Sequence, residues 1–546
     1  MLQRISPYLH FSDTQHGFRS GRSTTTALLP VVQHAATGFN QHCPPKRTVV
    51  LAVDFSKAFD TVNHTALLRS LCRGHLDSNS IRWICAYLRG RTVSCSFGGR
   101  ESAGVPVKQG VPQGSVLSPA LFNHYVASYP QSYQEHDIAR PQSAEHCCSY
   151  ADDFTAYASD TQYERAADVL SGHAGDVGVW AAGRDLIVSE QKSTVTLLTP
   201  QTQQMRDRPV VTLNGADLPV EPNPKILGVV FDPGLHFHKQ VENIVQKANS
   251  RLNLLRLLSG TGWGQHWETM LATYKSIVGS LYTYCAPIWF PNTSETSRNK
   301  LQVLQNAGLR MATGVLKMTG IDDLHAEART LKVEDHLRML CSQFLATCLQ
   351  PNHVSLPIVT ADSGPREMKQ TLQRSFRESR EQSDGSRIPT SFMAPLSDLL
   401  EDGRILDIQA ARKAIHTRAV EEAIQARRPN RVLGVVAPDV SEEEEEDMTR
   451  RERTTLAQLR TGFCSDLNDY KHRINPATSA LCPSCGEMDH TVRHLFQCRE
   501  HPTTLAAADL WHRPGRVLEF LRTWPCFSAF QRERPPPEPP PTNQDR

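Results

Sequence analysis

The tetrapeptide Tyr150-Ala151-Asp152-Asp153 constrains this chain more than any other feature. It lies between Cys147-Cys148-Ser149 and the apolar run Phe154-Thr155-Ala156-Tyr157-Ala158. Two adjacent carboxylates flanked by strand formers predict a tight hairpin. Like charges placed side by side are costly, and a divalent cation is the usual remedy. A third carboxylate stands upstream, where Val49-Val50-Leu51-Ala52-Val53 reads as a buried strand ending in Asp54. A helix-like stretch, Ser56 to Leu71, follows at once. An acid at a strand's end beside a paired-acid hairpin is the geometry of a two-metal phosphoryl-transfer site.

A third signal stands between these two. Lys108 to Pro119 is rich in turn formers and then runs into Ala120, Leu121, Phe122, Tyr125 and Val126. Gly114 permits close backbone approach to a ligand, and the Ser115 and Ser118 hydroxyls are placed to cap the next helix. Alone this is an ordinary loop-to-helix junction. In order with the other two it narrows the reading sharply.

A chain of 546 residues holds two to four domains and a substantial core. No run of 18 apolar residues suggests a membrane span, and Leu2 to His10 is too short and polar for a signal peptide. The 14 cysteines are scattered, and Cys72, Cys85 and Cys341 fall at expected core positions. That pattern suits a reducing compartment better than a disulfide framework. The net charge of +2 does not announce nucleic-acid binding, so any electrostatic footprint must be local.

Ser23 to Thr37 predicts a helix, and residues 49–235 alternate strands with amphipathic helices. Val241, Ile244, Val245, Ala248, Leu252 and Leu255 keep a helical period within a helical stretch, 238–345. Residues 361–393 read as flexible, Leu396 to Ala426 as helical, and Glu442 to Asp447 as a solvated linker. Pro535 to Pro541 reads as an extended, disordered tail.

Near the C-terminus, Cys482, Cys485, His494 and Cys498 follow the spacing Cys-x2-Cys-x8-His-x3-Cys, which suits one tetrahedral, structural zinc ion. Pro483 and Gly486 support a knuckle-like turn. His490 competes as a ligand, but His494 shares a helix face with Cys498. Arg493, Arg499 and Lys471 are candidate phosphate contacts.

Asp54 with Phe59, Gln113-Gly114-Ser115 and Tyr150-Ala151-Asp152-Asp153 resemble motifs A, B and C of a reverse transcriptase. Gln15 to Thr24 resembles the fingers motif upstream of motif A, Ser189 to Thr194 resembles motif D, and Lys225 to Val229 resembles motif E. Ala52 to His64, Tyr284 to Pro291 and Leu304 to Arg310 are similar to non-LTR (LINE-type) retrotransposon enzymes. Thr455 to Gly462 and the zinc ligands resemble the C-terminal segment of those elements.

The resemblance implies an RNA-directed DNA polymerase with an α/β (α+β) right-hand fold. The implied parts are partial fingers at 1–48, an antiparallel-sheet palm at 49–235 and a helical thumb at 236–345. A flexible and helical connector at 346–453, a zinc-binding segment at 454–525 and a Pro-rich tail at 526–546 complete the plan. Asp54 and Asp152 would hold two magnesium ions, with Asp153 beside them and the Phe55 carbonyl completing a metal shell. Phe59 would exclude a 2′-hydroxyl, and Gln113 and Gly114 would line the floor under the templating pair. Arg19 and Arg22 are candidates for the triphosphate, the alternative being surface charges flanking a helix. Lys192 would protonate the pyrophosphate leaving group. Asp60 and His64 suit local packing and capping. Implied partners are an RNA template, a DNA primer or target DNA and deoxynucleoside triphosphates, with no membrane. The expected location is intracellular and nuclear.

Family enzymes carry longer fingers, so this subdomain is expected to be incomplete and Met1 to be an internal methionine of a longer ancestor. Neither an upstream endonuclease nor an RNase H carboxylate set is found. An active polymerase and an inert, truncated element product that only binds nucleic acid both remain open. A group II intron maturase or a telomerase is the weaker rival.

Overall fold

A computed structural model describes residues 1–40, 44–130, 146–260, 264–361, 369, 397–438, 445 and 448–527. The expected flexible stretch 361–393 and the Pro-rich tail therefore lie almost wholly outside the described residues. The chain divides into two compact units. One comprises Met1–Asn243, Cys285–Ser297 and Leu337–His416; the other comprises Ile244–Tyr284, Arg298–His336 and Thr417–Arg546.

The first unit is built on four strands: β1 (Arg47–Val53), β2 (His146–Tyr150), β3 (Asp153–Asp160) and β4 (Thr194–Leu198). Their order is β2-β3-β1-β4, and every neighbouring pair is antiparallel. The central strand β1 is rich in β-branched residues and buries Val49, Val50, Leu51 and Val53. Helices α1 (Thr24–Asn40) and α2 (Tyr163–Ala182) pack on it. α2 brings Leu170, Ala174 and Val177 into one core with Leu51, Val53 and Ala156. Each fully buried leucine or valine there contributes about 1.5–3 kcal/mol.

The predicted helix Ser56 to Leu71 is broken. Lys57 takes φ 53°, Ala58–Asp60 form a 3-10 turn, and the helix runs only over His64–Arg73. The Asn63 side chain caps it by accepting the Ala66 N–H at 2.9 Å. The break frees the Phe59 and Val62 carbonyls, which accept from Val111 N–H and Gly110 N–H at 2.8 Å each. A continuous helix would have consumed both acceptors internally. The helix expected over Leu396 to Ala426 is likewise shorter, Ile408–Gln425, because Asp402 and Gly403 turn the chain at φ 48° and 75°.

The apolar positions Val241, Ile244, Ala248, Leu252 and Leu255 are the buried ones along helix His238–Leu257. Cys341 is buried, as expected, but Cys72 is exposed. Helix His64–Arg73 turns Leu67 and Leu71 inward instead.

In the second unit, helix Arg450–Arg460 packs Leu456 and Leu459 with Leu495, Leu510, Val517, Leu521 and Trp524. The acidic run contradicts its reading as a solvated linker at its one described residue. Glu445 is 1% exposed and meets Arg453 Nε at 2.8 Å and Arg460 Nη1 at 2.6 Å. Arg453 also pairs with buried Glu327, and its guanidinium lies 4.6 Å from the Trp267 ring centroid. Two arginines against two carboxylates balance the charge that burial would otherwise penalise.

Candidate active site and metal centre

Strand register assembles the acids. Val53 pairs with Phe154, so Asp54 leaves β1 and Asp153 enters β3 at the same end of the sheet. Tyr150 pairs with Asp153, which makes Ala151-Asp152 a two-residue hairpin loop. Loss of hydration pushes the Asp152 carboxyl above the ordinary range, and the Asp54 charge adds to it. Asp153 is raised for the same first reason, then by Asp152 and Asp54. Asp54 Oδ1 is shielded from solvent and has no hydrogen-bond partner. The Lys192 ammonium lies 4.0 Å from it. Three crowded carboxylates, two holding protons too tightly and one with an orphaned oxygen, are a donor set that fits hard divalent cations.

The stretch predicted to resemble motif D is tied to the same place. Ser189 N–H donates to the Asp54 carbonyl at 2.9 Å, and Asp54 N–H donates to Ser193 Oγ at 3.1 Å. Phe55 turns its ring into the core, edge-on to Phe154 and Trp180.

The glycine-rich loop docks on the Ala58–Asp60 turn. Gly110 has φ 85°, and a Cβ there would meet the Asp60 carbonyl oxygen at 2.6 Å. His64 Nε2 bonds the Gly110 carbonyl at 2.7 Å, and Gln113 Nε2 donates to Asp60 Oδ1 at 3.3 Å. Gly114 also has positive φ, 85°, and faces open space. The expected serine caps are absent from helix Ser118–Tyr125. Ser115 Oγ instead accepts from Leu117 N–H at 3.3 Å and from Tyr87 Oη at 2.5 Å. Its hydroxyl braces the loop from outside, because Leu117 occupies the capping position in a helical conformation.

Phe59 stacks on Phe122 with ring centroids 4.1 Å apart, and Phe18 meets its edge at 6.5 Å. The Arg19 and Arg22 guanidiniums turn back onto their own loop. Arg19 Nη1 donates to the Ser12 carbonyl at 2.6 Å, and Arg22 Nη1 donates to the Gln15 carbonyl at 2.9 Å. Sequence reasoning passed over two residues here. Phe18 is 61% exposed at φ 56°, a backbone region bulky residues avoid. Gln15 is buried against the acidic hairpin; the signal for it was Gly17, which marks a close approach of two backbones.

In the second unit, one ligand atom from each of Cys482, Cys485, His494 and Cys498 lies within 4.8 Å of the others. Tetrahedral zinc with bonds of about 2.0–2.3 Å spaces its ligand atoms by roughly 3.3–3.8 Å, so the set fits that ion. The turn is built by Cys482 N–H donating to the Met488 carbonyl at 2.8 Å and Gly486 N–H donating to the Cys482 carbonyl at 2.9 Å. The Glu487 and then the Met488 backbone N–H groups hold the Cys485 thiol below its ordinary value, which favours a thiolate ligand. His490 lies outside the set: its Nδ1 accepts from Asn468 N–H at 3.3 Å and its ring stacks on Trp524. The shared helix face expected for His494 and Cys498 is not found, since the helix spans only Val492–Leu495. Lys471 Nζ donates to the Asp466 carbonyl at 2.9 Å, and Arg499 lies 3.7 Å from Glu487.

Among the described residues, no helix is long and apolar enough to cross a membrane. A family profile described as reverse transcriptase (RNA-dependent DNA polymerase) matches residues 1–231. The RNA-directed DNA polymerase from mobile element jockey of Drosophila funebris is 26% identical over 60% of this chain and 35% of its own length. The probable RNA-directed DNA polymerase from transposon BS of Drosophila melanogaster is 26% identical over 61% of this chain and 36% of its own. The chain therefore spans about a third of the length of these curated relatives. Among solved structures, a telomerase from Candida albicans aligns with 65% of this chain and 56% of its own at 12% identity and a TM-score of 0.26, a likeness too slight to bear on the fold. Asp54, Gln113 and the Tyr150–Asp153 hairpin all fall inside the family match, so residues 1–231 form a reverse transcriptase domain, similar to the polymerases named for the elements jockey and BS.

Proposed function

We propose that the chain is an RNA-directed DNA polymerase, extending a DNA primer on an RNA template with deoxynucleoside triphosphates. The observation that carries this reading is the register that delivers Asp54 and Asp152-Asp153 to one end of a sheet within the family match. In this reading the β1–β4 sheet is the palm at 49–235, residues 1–48 form the fingers and 236–345 the thumb. The connector runs over 346–453, the zinc segment over 454–525 and the Pro-rich tail over 526–546.

Asp54 and Asp152 would hold two magnesium ions, with Asp153 beside them. When bound, the ions supply positive charge to the primer 3′-hydroxyl and to the triphosphate. Lys192 stands over Asp54 and delivers a proton to the departing pyrophosphate. Phe59, fixed by its stack on Phe122, rejects a ribose 2′-hydroxyl. Gln113 and Gly114, held by the Asp60 turn, seat the templating pair. Arg19 and Arg22 swing from loop carbonyls to the triphosphate when it arrives. Cys482, Cys485, His494 and Cys498 hold a structural zinc ion that shapes a contact for RNA or target DNA. The place of action is the nucleus.

Primer extension on an RNA template with magnesium tests the reading, the chain beside its Asp152→Asn variant. Extension by the parent alone is expected. RNA binding without extension by either would overturn it and leave a nucleic-acid-binding remnant.

A further inference from the structure

The hairpin that carries Asp152 is strained, and something must hold it. Ala151 sits at φ 57°, a left-handed conformation that non-glycine residues rarely adopt. Such a residue persists only where its surroundings over-determine it.

Segment 12–17 supplies that constraint. It runs parallel to the end of β2, with Gln15 bridged to Ser149. His16 N–H donates to the Ser149 carbonyl at 2.7 Å, and Ser149 N–H donates to the Thr14 carbonyl at 2.9 Å. The Gln15 amide then closes on the hairpin from both sides. Its Nε2 donates to the Ala151 carbonyl at 3.0 Å, and its Oε1 accepts the Ala151 N–H at 2.8 Å. The same Oε1 accepts the Gly17 N–H at 2.8 Å, which fixes the amide's orientation. Gln15 is 1% exposed, so water does not compete for these bonds. Gly17 is required for the approach: a Cβ there would stand 2.4 Å from Ala151 N. Asn123 Nδ2 holds the Gly17 carbonyl at 2.8 Å.

We propose that Gln15 is a positioning residue for the reaction, a two-bond clamp that holds Ala151 at positive φ and thereby sets where the Asp152 carboxylate stands relative to Asp54. The inference rests on the polymerase reading above. Its physical content is simple. Without the clamp, Ala151 relaxes toward negative φ, the peptide plane before Asp152 rotates, and the carboxylate leaves its place. A displacement near 1 Å at a reacting centre costs on the order of 10²-fold in rate.

The test compares the parent with Gln15→Leu, Gln15→Glu and the pair Gln15→Leu with Ala151→Gly. Single-nucleotide incorporation should show kcat lowered about 10²-fold in Gln15→Leu. The KM for the nucleotide and the affinity for primer-template should stay within about threefold of the parent, since the Gln15 amide is buried and bonded to Ala151 and Gly17. Gln15→Glu keeps the acceptor and loses the donor, and should fall between. Glycine takes positive φ without strain, so Ala151→Gly should restore most of the lost kcat in the Gln15→Leu background. Failure of that rescue would mean that Gln15 only fills space, and it overturns the clamp. Hydrogen exchange over residues 147–156 reads the clamp without any turnover. Gln15→Leu should speed exchange at the Ala151 amide, and unchanged exchange overturns the inference. An inactive parent with the exchange effect intact would sink the polymerase reading and leave the clamp standing.

Discussion

The Lys192 ammonium nitrogen stands 4.0 Å from Asp54 Oδ1, the one oxygen of that carboxylate cut off from both solvent and hydrogen bonds. Lysine and aspartate arrive on different strands, Asp54 at the end of β1 and Lys192 just before β4, and the antiparallel pairing of those strands brings them together. Lys192→Ala should lower kcat for nucleotide incorporation by about 10²- to 10⁴-fold, the range of a lost general acid. Lys192→Arg should retain more, and primer-template affinity should not change. An unaltered kcat in Lys192→Ala would remove the residue from the chemistry.

Magnesium and acid crowding predict a stability reversal at Asp152. Its carboxyl is raised by burial first and then by the Asp54 charge. A raised carboxyl destabilises the fold at pH values above its unfolded titration, where it is ionised, and this penalty fades as pH falls. In a chelator at pH 7, Asp152→Asn should therefore melt slightly above the parent. Added magnesium should raise the parent's Tm and leave the variant's nearly unmoved. Equal responses to magnesium would move the metal away from Asp152.

Phe59 has one face against Phe122 and an edge toward Phe18. Phe59→Ala should raise ribonucleotide relative to deoxynucleotide incorporation by at least about tenfold, the scale of one lost steric contact. Competitive incorporation of the two nucleotides measures it, and an unchanged ratio would leave Phe59 as core alone.

Acid should unfold the first unit through buried neutral histidines. Burial, then Arg22, Arg19 and His353, bring His16 down to about 3. Burial, then His146 and Lys46, bring His34 down to about 3. The unfolded chain takes up a proton near pH 6.5 and the fold does not, so this stability is complete above 6.5 and drains as pH falls toward 3. Each group should account for about 2 kcal/mol lost by pH 5. The raised Asp152 and Asp153 run the opposite way, so the variant below isolates the histidine part. Melting curves at pH 7 and 5 test it. His34→Phe keeps the ring against His146 and Tyr157 and should flatten the slope.

The second unit should bind one zinc ion per chain. Cys498→Ser, or a strong chelator, should release it and lower the melting temperature of that unit by many degrees, because four ligands close a turn within its core. Metal analysis that finds no zinc at full occupancy in the native chain would refute this.

The sequence was readable wherever chemistry and strand pattern coincide. Val49 to Asp54 and Tyr150 to Asp153 announce a strand, a hairpin and their acids with no knowledge of contacts. Cys482, Cys485, His494 and Cys498, which the structure gathers, announce themselves by spacing. What stayed hidden depends on partners distant in the chain. Helix Ser56 to Leu71 looked continuous because nothing local says that Val111 and Gly110 claim the carbonyls of Phe59 and Val62. Glu445 looked like one more solvated acid because Arg453 and Arg460 lie in a later helix. Gln15 carries no chemistry of its own, and its value exists only once Ala151 is beside it.

The pairing of Val53 with Phe154 makes the length of β1 part of the site. A β-strand alternates its two faces, so removing one residue between Arg47 and Asp54 sets the two ends of the strand against each other. Either the core residues before the gap turn outward or Asp54 turns away from Asp152. The number of residues ahead of an acid is thus as much a part of its chemistry as the acid itself.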